Sequence, residues 1–152
     1  MEEKCEIAER ILEYVTDLER YIHDIDKKFD AVVMSCGPSG YVGCSNECRG
    51  SGLRRRSAFM EDIAEYLNNL GRKKDSAIIA LRPVAEAFED MKYSKSGHVI
   101  YWRIGKGISV QEYAEKFKFS RRHSRRLYIK AMADLYDRIE KFNGHELIEK
   151  FK

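Results

Sequence analysis

The sequence predicts an all-α protein, and three observations carry that expectation. Apolar residues recur at spacings of three and four through long stretches, the pattern of one helix face. Charged residues make up 35% of the chain while Pro occurs only twice, a composition that suits long helices with few turns. Serines stand at helix-capping positions ahead of the carboxy-terminal apolar runs. The expected architecture is a long amino-terminal helical hairpin or coiled coil followed by a compact pair of short helices. A chain of 152 residues is large enough for a modest core, in one domain or two small helical ones.

The first helix is expected to run through residues 7–29. Ile7, Ile11, Tyr14, Leu18, Tyr21 and Ile25 alternate spacings of four and three, a heptad seam, and Val15, Ile22 and Phe29 widen the stripe. So broad a stripe needs cover, either from a helix of the same chain or from a second subunit in a homodimer. Its charges are mixed with acids in excess, among them Glu6, Glu9, Glu13, Asp17 and Glu19, so its expected work is packing rather than contact with an anion.

A flexible Gly/Ser-rich loop is expected over 30–56. Cys36, Cys44 and Cys48 lie in it, with Cys5 or a histidine as conceivable fourth ligand of a zinc ion. The gaps of seven and three residues do not form the Cys-x-x-Cys knuckles of structural zinc sites, so reduced, unliganded thiols are expected and no metal. Arg54, Arg55 and Arg56 close the loop as a solvated helix entry.

Two further apolar stripes supply cover for the first helix. Met60, Ile63, Leu67 and Leu70 form one; Ile78, Leu81, Val84, Ala85, Phe88 and Met91 form the other. Gly71 and the polar residues after it suggest a break, with Ser76 capping the next helix, and Pro83 should kink or interrupt the second stripe. The helical scaffold is therefore expected to span 1–92, with Tyr93 to Gly97 as a linker to a second domain over 97–143.

That second domain is the informative part of the chain. Ser109 followed by Glu112 is a capping box, and the short helix it opens carries Val110, Tyr113, Ala114 and Phe117 inward. Lys118 and Phe119 make a tight turn, Ser120 caps the next helix, and the result is a helix-turn-helix. Lys116, Lys118, Arg121, Arg122, Arg125, Arg126 and Lys130 fall between positions 116 and 130 with no acid among them. The whole chain carries +3, so without these seven cations it would carry −4. A basic helix on an otherwise near-neutral body is the footprint of nucleic-acid binding. Lys116, Lys118 and Lys130 are expected on phosphates, and Arg121, Arg122, His123, Arg125 and Arg126 toward the major groove, with Ser120 at the helix start.

The stretch from Gly107-Ile-Ser-Val-Gln-Glu-Tyr-Ala through Ser120-Arg-Arg-His-Ser-Arg-Arg-Leu to Ala131-Met resembles region four of bacterial sigma factors. It is more similar still to sigma-like phage regulators of the ArpU/RinA type. The shared features are the Gly-Ile-Ser lead-in, Glu-x-x-Ala in the first helix, Ser-Arg opening the second and Ala-Met closing it. Ser124 departs from the pattern, where the family has an aliphatic residue. The resemblance implies a regulator of phage or prophage late genes that binds double-stranded DNA and contacts host RNA polymerase.

No phosphate-binding loop, nucleophile elbow or His-Glu-x-x-His helix occurs, and His23, His98, His123 and His145 are dispersed. No enzyme and no cofactor is therefore expected. The leading expectation is a cytoplasmic, sequence-specific transcription regulator. Two alternatives stay open: a phage terminase small subunit binding packaging-site DNA, and an interaction module docking RNA polymerase through the basic helix. No run approaches the ~20 apolar residues of a membrane span.

Overall fold

The structure, a computed structural model, describes residues 1–35 and 51–152, with side chains from residue 60 onward in the second segment. The described residues are all helical apart from short turns. The elements are α1 (Glu2–Ser35), α2 (Ser51–Met91), α3 (Lys95–Ile100), a π-turn (Tyr101–Gly105), α4 (Val110–Phe117), α5 (Arg121–Lys141) and α6 (His145–Phe151). The stretch holding Cys36, Cys44 and Cys48 lies outside the described residues, as do the side chains of Arg54, Arg55 and Arg56. Helix occupies 30–35 and 51–56, so the expected loop is shorter at both ends.

Two compact units divide the chain, one of residues 1–16 with 80–152, the other of residues 17–79. The division differs from the one expected at residue 92. α1 and α2 each run through both units, and the core of the first unit takes in the start of α1 and the end of α2.

In the first unit Ile7, Ala8 and Ile11 from α1 join Val84, Ala87 and Met91 from α2 in one core. Val99, Ile100, Tyr113, Met132, Leu135, Ile139 and Ile148 are among the residues that extend it, and Ile11, Met132, Leu135 and Ile139 are wholly inaccessible at 0%. Ile7 and Ile11 are thus enclosed by their own chain, which removes them from any seam shared with a second subunit. Ion pairs tie the layers together: Lys4 to Asp137 at 2.5 Å, and Asp90 to Arg138 and Lys141. α6 lies beyond the domain end expected at 143. Leu147 and Ile148 are buried, and Phe151 packs its ring 5.4 Å from that of Tyr14.

The expected linker at 93–97 is instead a helix start. Ser94 accepts from the Gly97 N–H at 3.0 Å and donates to the Met91 carbonyl at 2.7 Å, which caps α3 directly onto the end of α2. A Cβ at position 97 would collide with the Met91 carbonyl oxygen, so glycine permits this close approach.

In the second unit Ile25, Leu70 and Ala77 are buried, and Asp26 pairs with Lys74 at 2.5 Å. Tyr21, expected in the seam, is 42% exposed, while Leu18, Ile22 and Phe29 are half-buried. Met60 and Ile78 are exposed as well.

α2 neither breaks at Gly71 nor stops at Pro83. The reason is a heptad stripe: Leu70, Ala77, Val84 and Met91 are all buried at spacings of seven, and the stripe passes through both positions. Continued burial outweighs the ~1 kcal/mol that glycine costs and the larger penalty of proline. Ser76 is accordingly no cap; its hydroxyl donates to the Arg72 carbonyl within the helix at 2.9 Å.

Candidate nucleic-acid interface

The site is built from the caps outward. Ser109 opens α4 by accepting from the Glu112 N–H at 3.1 Å, and the Glu112 carboxylate accepts from the Ser109 N–H at 2.6 Å. These hydrogen bonds hold the Glu112 carboxyl below the usual carboxylate range. Tyr113 and Ala114 are buried, Val110 and Phe117 half-buried, as the spacing predicts. Lys118 ends α4 in the left-handed region at φ 55°, and the Phe119 N–H reaches back to the Ala114 carbonyl at 2.9 Å. Ser120 then accepts from the His123 N–H at 3.1 Å and starts α5. Three residues therefore join two helices that pack on one another.

Behind α4 lies an aromatic cluster. His98, Trp102, Tyr113 and Phe117 meet edge-on or tilted, with Tyr113 and Phe117 4.7 Å apart between ring centres. His98 Nδ1 is hydrogen-bonded to the Tyr113 hydroxyl at 3.2 Å. Lys116 lays its ammonium 4.3 Å from the centre of the Trp102 ring, a cation–π contact that fixes this cation against α4's supporting layer.

The expected basic residues Arg121, Arg122, His123, Arg125, Arg126 and Lys130 are all exposed on α5; Lys116 on α4 and Lys118 and Ser120 in the turn are exposed too. They do not form one surface. Arg122, Arg126 and Lys130 are four residues apart and share a face, with His123 beside them. The opposite face carries Ser124, Ala131 and Leu135 into the core. His123 rests against Phe119, the ring centres 5.0 Å apart. Ser124 is 2% exposed and its hydroxyl finds no partner among the described residues, so its side chain faces inward.

Arg121 and Arg125 turn a different way. With Arg122 they line an open cleft of about 860 Å³, whose other wall is Glu2, Glu6 and Glu9 of α1. At this cleft Tyr128 donates its hydroxyl to Glu9 at 2.9 Å, and the Arg103 guanidinium stacks 4.8 Å from the Tyr128 ring centre. Arg103 also donates to the Ile108 carbonyl. Burial and the neighbouring Glu9 carboxylate push the Tyr128 hydroxyl well above its ordinary pKa. Cys5, buried beside Glu9, has its thiol raised to about 11, chiefly by burial, and is a poor metal ligand in that state.

The sequence does not single out Arg103 or Tyr128, and it marks the acids of α1 only as a surface unsuited to anions, not as a wall beside α5. A lone Arg next to Trp102 has no spacing signal, and the acids of α1 read as an ordinary solvated helix face. Among the described residues no group of three or more His, Cys, Asp or Glu is arranged to hold a metal ion, and no helix is long and apolar enough to cross a membrane. Comparison with protein families, curated proteins and solved structures finds no match to this chain.

Proposed function

We propose that the chain is a sequence-specific DNA-binding transcription regulator, in which α4 and α5 act as a helix-turn-helix and α5 enters the major groove. The observation that carries this reading is the one-sided construction of α5. Its inner face is clamped by Ser124, Ala131 and Leu135, so the cations Arg122, Arg126 and Lys130 are presented outward on a rigid element. Rigid presentation matters because base edges are read by fixed bidentate geometry, which a mobile basic tail does not offer. Arg122, His123 and Arg126 read bases; Lys118 and Lys130 hold phosphates. The resemblance to sigma-like phage regulators extends the proposal to late promoters of a phage or prophage in the cytoplasm, with host RNA polymerase as protein partner. A homodimer, where formed, would use Leu18, Ile22 and Phe29 rather than Ile7 and Ile11.

The test is selection of bound sequences from a random duplex pool, then binding measurements on the selected site. Arg122→Ala/Arg126→Ala should erase the preference, at roughly 1–3 kcal/mol per base contact, while the fold stays intact by circular dichroism. Lys130→Ala should weaken all sequences alike and lower the salt slope by about one. Undiminished selectivity in the double Arg variant would overturn the assignment of α5.

A further inference from the structure

The cleft beside α5 has walls of opposite sign: Glu2, Glu6 and Glu9 face Arg121, Arg122 and Arg125. Two contacts hold the acidic wall in place. Lys4 pairs with Asp137 of α5 at 2.5 Å, and Tyr128 of α5 donates to Glu9 at 2.9 Å. The acids are thus a fixed part of the surface that α5 presents, and no direct ion pair crosses the cleft among the described residues to cancel them.

We infer that Glu2, Glu6 and Glu9 limit the affinity of the DNA interface, acting by repulsion. The inference rests on the reading of α5 as the DNA-binding helix. A phosphate that approaches Arg121 or Arg125 enters the cleft that three carboxylates also line, where like charges are only partly screened at moderate salt. The gain at the arginines is offset by like-charge repulsion, so this edge of α5 contributes little to backbone binding. Arg126 and Lys130 line no part of that cleft, and the nearby acids of their own helix, Asp134 and Asp137, are engaged by Arg138 and Lys4. Binding without regard to sequence depends wholly on phosphates, whereas a cognate site adds base contacts. Repulsion at one edge therefore lowers the affinity for every duplex, and a random-sequence duplex, bound through phosphates alone, reports it directly.

Glu2→Gln/Glu6→Gln removes two of the charges at exposed positions and leaves the Tyr128–Glu9 contact alone. Glu61→Gln/Glu65→Gln, on exposed turns of α2 in the other unit, makes the same change in net charge as a control. Binding of a short random-sequence duplex is followed by anisotropy across a salt series. The expected result is that the Glu2/Glu6 variant binds about three- to tenfold tighter than the control at low salt, the gap closing as salt rises. Binding seen only in the Glu2/Glu6 variant supports the inference equally. If wild type binds and the two variants bind alike, the inference is overturned while the reading of α5 stands. If none of the three proteins binds at the lowest salt, the DNA reading falls and takes the inference with it.

Discussion

The two units use the same pair of long helices to different ends. In the first, the start of α1 and the end of α2 are enclosed by α3, α4, α5 and α6, and a contiguous cluster of buried apolar residues results. In the second, the buried apolar residues among those described are Ile25, Leu70 and Ala77, while Tyr21, Val33, Met34, Met60, Tyr66, Ile78 and Ile79 are exposed. An amphipathic stripe is thus a core only where a third layer covers it. Helix continuity and burial are separate properties, and α1 and α2 keep the first while losing much of the second.

Paired truncations give the sharpest test of that contrast. Leu135→Ala, at a site with 0% exposure, should cost about 2–5 kcal/mol by the lost transfer energy and the cavity left behind. Leu67→Ala on half-buried α2 should cost about 1 kcal/mol, since much of that side chain already meets water. Urea unfolding followed by circular dichroism measures both. Equal losses would mean that Leu67 is covered in solution, by a second copy of the chain above all, and an accompanying concentration dependence of the midpoint would say so.

A smaller effect is expected at the joint between α4 and α5, where stability and function should move in opposite directions. Lys118 holds a left-handed conformation at φ 55°, which is strained by roughly 1 kcal/mol for a residue with a Cβ. Lys118→Gly relieves that strain and should raise stability by about 0.5–1 kcal/mol. It also removes the phosphate contact proposed for Lys118, so affinity for every duplex should fall together. A Gly variant that is both less stable and equally tight in binding would remove Lys118 from both roles.

Much of this region was legible because its signals are local. Ser109 with Glu112, and Ser120 ahead of the Arg pair, specify helix starts through hydrogen bonds to residues three positions on, and the structure makes those bonds. The partition of the basic residues was not legible. Arg121, Arg122 and Arg125 differ from Arg126 and Lys130 through the acids that α1 brings alongside, a juxtaposition across more than a hundred residues of chain. Tyr128 with Glu9 is hidden for the same reason. α2 misled in another way: Gly71 and Pro83 carry strong local signals, but Leu70, Ala77, Val84 and Met91 bury one stripe through both. Counting Ile78 rather than Ala77 as the inward residue was enough to break the pattern in sequence. The caps at Ser109 and Ser120 are legible without tertiary information; the cap expected at Ser76 and the face assignment on long helices are not.

The smallest expected effect tests whether the capping box is set as described, and it appears in pH dependence. The Ser109 N–H donates to the Glu112 carboxylate at 2.6 Å and holds its pKa below the ordinary value of 4.5. A carboxyl depressed in the folded state adds stability that is present above its unfolded pKa and lost as pH falls through the lower folded value. The unfolded chain takes up the proton first on acidification, so wild type should lose stability from below about pH 4.5 downward. Glu112→Gln keeps an oxygen acceptor but cannot titrate. Its melting temperature should lie slightly below wild type at neutral pH, and the gap should close on acidification as wild type forfeits the charged contact. Other carboxyls titrate in the same window, so the readout is the difference between the two proteins rather than either curve. A constant gap from pH 7 to about pH 2 would mean that the carboxylate makes no such contact with the start of α4, and that the helix presenting the turn is capped by Ser109 alone.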